Sequence, residues 1–182
     1  MTELPSDEVD RIIASWSALR PDLDTSPLEV LSRVSRLGRH LDLERRAVFA
    51  DHDLEPWEFD VLASLRRCGG PCALTPGALM AELLVSSGTM TNRIDRLEER
   101  GLVERSRQGS DRRQVTVTLT RAGRELVEAA LSTLLDCERR ILAPLSAADQ
   151  KHLAHLLRPL LLPFEGDTEN GAATEVKRAE NE

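Results

Sequence analysis

Between Ser87 and Arg100 the chain sets Thr89, Asn92, Arg93, Arg96 and Arg100 along one side of a helical projection. Met90, Ile94 and Leu97, at spacings of four and three, form an apolar stripe on the other. Guanidinium and carboxamide groups on a helix suit the major groove of DNA, where arginine pairs with guanine and asparagine with adenine. Further on, Gln108 to Arg113 reads QGSDRR, with the glycine and aspartate of a turn and two adjacent arginines at its tip. A basic hairpin tip fits phosphates or the narrower minor groove. Taken singly these signals are weak, because a polar helix face is usually a solvated surface and an arginine pair in a turn is usually only a turn. Their order along the chain is much more specific.

Other chemistry is poorly provided for. There is no glycine-rich phosphate loop, no cluster of metal-ligand residues and no nucleophile with an identifiable base, so the expectation is a protein that is not an enzyme and needs no metal or cofactor. Cys68 and Cys72 are separated by three residues, and with Cys137 they are too few for a disulfide scaffold or a four-ligand zinc site. They read as buried or idle thiols, the alternative being a redox switch. His152 and His155 share a helix face without an acidic or cysteine partner nearby in sequence, and read as solvated.

The elements that must position the basic residues follow from local signals. Thr75-Pro76 caps a short helix to about Leu84, with proline where a missing N–H costs nothing. Val85-Ser86-Ser87-Gly88 breaks it, and either serine can cap the arginine-bearing helix, which Gly101 ends. Leu102 to Arg107 and Gln114 to Leu119 are extended; in the second, Val115, Val117 and Leu119 alternate with polar residues as in a half-buried strand. The stretch from Leu74 to Thr120 is therefore a helix-turn-helix followed by a two-stranded wing.

Upstream, Val9, Ile12, Ile13, Trp16 and Leu19 mark an amphipathic helix from Ser6. Ser26-Pro27-Leu28-Glu29 reads as a capping box opening a helix to about Ala50, and a third helix over Pro56 to Arg67 buries Phe59, Leu62, Ala63 and Leu65, with Trp57 and Asp60 on another side. Downstream, Thr120 caps a helix to about Leu142 with Leu126, Ala130, Leu131, Leu134, Leu135 and Ile141 as its stripe, and Ser146 to Asp149 opens a last, leucine-rich one. These helices exceed what a small winged helix needs as cover, and a helical dimer interface uses the surplus. The expected class is mostly α with a small β-wing: a winged helix-turn-helix whose N- and C-terminal helices form a dimerisation region.

The expected division is an extra N-terminal helix and linker (1–25), a dimerisation helix (26–54), the DNA-binding region (55–120), C-terminal dimerisation helices (121–164) and a disordered acidic tail (165–182). The formal net charge of −7 over 182 residues runs against DNA binding at first sight. The acids, however, are concentrated at the ends: residues 11–164 carry 22 basic and 21 acidic residues, and residues 87–121 carry eight arginines against five acids. No apolar run approaches membrane-spanning length and no secretory signal opens the chain, so a cytoplasmic protein is expected.

In this order the elements resemble the MarR family of winged-helix transcription factors over about residues 10–163. The resemblance rests on Leu79 to Leu84, Ser86 to Arg93, Leu97-Glu98, Gly101-Leu102-Val103, Asp111-Arg112-Arg113, Leu119-Thr120 and Gly123. It implies a homodimer on a palindromic double-stranded operator, in many members a repressor released by a small anionic ligand. The tryptophan-bearing first helix, Arg20 to Leu23, Glu58 to Leu62 and Thr91-Asn92-Arg93 further resemble the urate-responsive branch, which implies a ligand site at Trp16, Asp60, Arg93 and Arg105 for urate or a related purine or carboxylate. A redox-sensing repressor using Cys68, Cys72 or Cys137 is the alternative. The expected DNA contacts are Ser87, Thr89, Asn92, Arg93, Arg96, Arg112 and Arg113.

Overall fold

A computed structural model describes residues 5–69, 73–107 and 115–165. The order is α1 (Glu8–Leu19), α2 (Ser26–Ala50), α3 (Pro56–Arg67), β1 (Ala73–Leu74), α4 (Pro76–Leu83), α5 (Ser87–Glu99), β2 (Val103–Arg107), β3 (Val115–Leu119), α6 (Arg121–Leu142) and α7 (Ala147–Glu165). The expected wing tip with Arg112 and Arg113, Cys72, and the tail beyond Glu165 lie outside the described residues.

The helix boundaries follow the chemistry of their caps. Asp7 accepts from the amides of Val9 and Asp10, and the Asp10 carboxylate returns to the Asp7 amide at 2.8 Å, so α1 starts two residues later than its apolar pattern alone predicts. The box expected at Ser26 to Glu29 does not form. Ser26 is already helical, and Asp24 Oδ1 accepts from its amide at 3.0 Å. Thr75 and Thr120 cap α4 and α6 as expected, each accepting from the third following amide.

The sheet has one strand more than expected. β3 lies between β2 and β1, all antiparallel, with Arg105 opposite Val117 on one side and Leu74 opposite Val117 on the other. Two residues carry no detectable alternation, which is why the sequence pattern shows only the hairpin.

The core is shared by α3, the inner faces of α4, α5 and α6, and the sheet. Phe49 and Phe59 stack with centroids 4.3 Å apart, over Leu62, Leu65, Leu79, Ile94, Val117 and Leu134. Full burial of each such side chain stabilises the fold by roughly 1.5–3 kcal/mol. Gly123 lets α6 approach the turn after α5, since a Cβ there would stand 2.0 Å from the Leu102 carbonyl oxygen. The terminal helices leave much apolar surface uncovered in the single chain. On α6, Val127, Ala130, Leu134 and Cys137 are buried, whereas Leu131 and Leu135, expected in the same stripe, are 43% and 42% exposed. The apolar arc of α6 is wider than its own domain covers. α2 exposes Val30, Leu31, Val34 and Leu37, and α7 exposes Leu156, Leu160 and Leu161.

Candidate nucleic-acid interface and the charged groups behind it

The helix-turn-helix is set by two local devices. Leu84 ends α4 with φ 53°, a left-handed conformation unusual for leucine. Ser86 Oγ then accepts from the Thr89 amide at 3.3 Å and shares a 2.9 Å hydrogen bond with its hydroxyl, capping α5. Met90, Ile94 and Leu97 are turned fully into the core, which fixes the rotation of α5 and leaves Ser87, Thr89 and Asn92 exposed on it. The α5 helix ends at Gly101, whose φ of 68° suits glycine. Beyond it the strands are joined by their ladder and by a 3.0 Å bond between the Ser106 and Thr116 hydroxyls.

The arginines of α5 are not equivalent. Arg93 is half-buried, and its guanidinium carbon lies 5.5 Å from the centre of the Trp57 ring; that of Arg96 lies 5.0 Å from the same ring. Both cations are therefore drawn toward α3 by an aromatic face. Arg100 turns inward further, donating to the buried Glu58 carboxylate at 2.6 Å and to the Asp53 carbonyl at 2.6 Å.

Asp60 is half-buried on α3, with Arg45 Nη2 3.8 Å from its carboxylate and Arg93 and Arg67 in its field. Burial raises its carboxyl pKa above the usual aspartate range, and the attraction of Arg45, Arg93 and Arg67 opposes that shift only in part. Arg105 is engaged elsewhere: it pairs with Asp95, and its Nη1 donates to Glu98 at 2.6 Å, tying β2 to α5. Trp16 is 47% exposed on α1, which Arg33 of α2 holds by forking onto Asp7 and Asp10. Of the four residues expected at the ligand site, the structure thus brings together Asp60 and Arg93. Arg45 and Trp57 adjoin them; the sequence sets Trp57 on the Asp60 side of its helix without giving it a role, and does not mark Arg45. Arg45 is one of several arginines on a long polar helix, and nothing in the spacing marks it.

The remaining candidates are placed plainly. Cys68 is exposed at the end of α3. Cys137 is buried, and burial together with the neighbouring Glu44 carboxylate pushes its thiol pKa up, the reverse of what a reactive thiolate needs. His152 and His155 are exposed, as expected, and no group of metal-ligating residues occurs among the described residues.

Residues 52–114 match the model of the MarR family. Over 150 residues the chain is 38% identical to the HTH-type transcriptional regulator PecS of Dickeya dadantii, covering 82% of this chain and 90% of that protein. The chain belongs to the MarR family. It is a DNA-binding transcriptional regulator rather than an enzyme. The HTH-type transcriptional repressor NicR of Pseudomonas putida is 29% identical over 147 residues, 76% of this chain and 89% of NicR. Among solved structures, a MarR family regulator of Streptomyces coelicolor, Sco5413, superposes with a TM-score of 0.64 at 26% identity, over 79% of this chain and 98% of that one. A point mutant of the E. coli MarR protein complexed with operator DNA gives 0.58 at 26% identity, over 76% and 99%. No helix among the described residues is long and apolar enough to cross a membrane.

Proposed function

We infer that this MarR-family regulator is a homodimeric repressor that a small anionic ligand, urate or a related purine or carboxylate, releases from its operator. The observation that carries the reading is the position of Arg93, which belongs to α5 and lies both in the field of Asp60 and over the Trp57 ring. An anion drawn to Arg93 meets the Asp60 carboxylate and displaces the guanidinium from its resting contacts. Movement of Arg93 is movement of the helix that carries Ser87, Thr89 and Asn92, so ligand and DNA share one element, as coupling between two sites requires. Arg45 joins Asp60 and Arg93 in this site, while Trp16 and Arg105 serve it when α1 and β2 close over the ligand. Arg96 and the wing arginines Arg112 and Arg113 complete the DNA contacts. The exposed apolar residues of α2, α6 and α7 form the dimer interface. NicR, named a repressor, and the E. coli MarR complex with operator DNA support the reading.

The test is a mobility-shift titration of the purified protein on its upstream promoter fragment with urate, xanthine and citrate. The expected result is release by at least one of them; Arg93→Ala should need about tenfold more ligand, within the usual size of allosteric coupling, and Asp60→Asn, which accepts the anion without the carboxylate's repulsion, should release less DNA at saturation. A wild-type response in both variants rejects this pocket.

A further inference from the structure

Leu84 departs from the rest of the DNA-binding half in two ways. It ends α4 with φ 53° and ψ 44°, in the left-handed region. The described residues hold one other non-glycine residue with positive φ, Asp53, and a short polar side chain tolerates that conformation where leucine does not. Leu84 is also 76% exposed, and between Leu43 and Leu131 no other large apolar side chain among the described residues stands so open to solvent. The fold asks for neither property. The Leu84 amide donates to the Met80 carbonyl, a bond that backbone alone makes, and glycine is the common residue at such a helix end because it has no Cβ to strain. Packing is left to the neighbours, since Leu83 and Val85 lie against the core and Leu84 does not. A strained residue that also keeps an apolar side chain in water gains nothing within the single chain, and such outliers gather where a partner is bound. Place sets the partner. Leu84 precedes by two residues the serine that caps α5, so it adjoins the exposed Ser87 and Thr89 at the end of the helix that meets base edges.

We propose that Leu84 reads thymine, by apolar contact of its side chain with the C5-methyl group in the major groove. That methyl is the apolar group that a base pair shows on its major-groove edge. The contact selects a base by shape, beside the hydrogen bonds that the polar side chains of α5 offer. Thr89 carries a methyl group of its own, so the test separates the two residues. The inference rests on α5 as the reading helix and is independent of the anionic ligand and of the groups around Asp60 and Arg93.

The operator within the upstream promoter fragment is first bounded by footprinting with the full-length protein. Each of its thymines is then replaced by deoxyuridine, which lacks the C5-methyl and keeps the hydrogen bonds. The expected result is a loss of about fourfold in affinity at one thymine of a half-site, the worth of one buried methyl group, and little at the rest. Leu84→Gly should bind the unmodified operator more weakly and lose that dependence, since the cycle leaves no contact to delete. Leu84→Met, still apolar, should keep it. Leu84→Gly should also melt at or above the parent's temperature, because it relieves the left-handed leucine. The proposal is overturned if no thymine responds, if Leu84→Gly keeps the same dependence, or if Thr89→Ser erases it instead. A Leu84→Gly that melts several degrees below the parent gives the leucine to the fold and overturns it as well. Replacing the guanines by 7-deazaguanine, which lacks the N7 acceptor, reports the polar contacts of α5 separately, whether or not a thymine methyl matters. Failure of urate to release DNA leaves all of these readouts in place.

Discussion

At the scale of the residue, two carboxylates on α3 sit in contrasting environments. Glu58 is 2% exposed and held by Arg100, whose own side chain reaches solvent. Removing the guanidinium leaves a buried anion with the Glu55 amide and no cation, so Arg100→Ala should cost about 1.5–3 kcal/mol, the range for hydrogen bonds to charged groups. Urea denaturation checks this, and a loss below about 0.5 kcal/mol, typical of a surface exchange, would show the pair to be ornamental. Asp60 has the raised pKa that burial imposes. Once protonated it no longer repels a bound anion, so affinity for a ligand that stays ionised rises as pH falls through that raised pKa and declines as pH rises through it. The window opens above the ordinary aspartate value. Calorimetric titration of wild type and Asp60→Asn across mildly acid pH should show the slope in the first and its loss in the second; parallel profiles would remove Asp60 from the site.

At the scale of the element, α6 depends on a single missing side chain. Thr120 Oγ1 donates to the Gly101 carbonyl at 2.8 Å, and the Leu102 carbonyl, which accepts the Thr120 amide, is the group a Cβ at Gly123 would strike. Gly123→Ala must push α6 away from the α5–β2 turn, and overpacking against backbone costs about 3 kcal/mol. A thermal midpoint within a degree or two of wild type would mean that the helix shifts freely. This position was legible in the sequence only as a glycine within a family-like pattern, whereas Thr75, Ser86, Thr120 and Gly101 declare their roles by residue type, because capping is a local affair. Met90, Ile94 and Leu97 likewise fix the rotation of α5 by spacing alone. What spacing does not carry is the direction of long side chains: Arg96 and Arg100 share a polar face with Asn92 in projection, yet lean back onto Trp57 and Glu58. The two-residue strand β1 and the pairing of Arg105 with Asp95 and Glu98 are tertiary facts of the same kind, set by what lies opposite rather than by neighbours in the chain.

At the scale of the whole molecule, α2, α6 and α7 leave apolar surface bare in a single chain, the surface that the proposed dimer would cover. Leu135 of α6 and Leu156 of α7 are 42% and 51% exposed, so a charge at either should leave the fold of one chain within the roughly ±0.5 kcal/mol of ordinary surface substitutions. Their burial between two copies would make the same charge costly there. On the proposed dimer, the parent should sediment as two chains and the double variant Leu135→Glu with Leu156→Glu as one, with helical circular dichroism retained. The consequence for DNA is separable from loss of fold. A dimer contacts two half-sites about one helical turn apart, and each half contributes its own phosphate contacts. Since the slope of log affinity against log salt scales with the number of phosphates neutralised, the monomer should bind a full operator with about half the parent's slope and with the affinity of a half-site. Sedimentation and salt titration on one preparation decide the matter. A variant that sediments as a monomer yet keeps the parent's slope would place all the DNA contacts on one chain and remove the reason for a dimer; a variant that stays dimeric would move the interface off these two leucines.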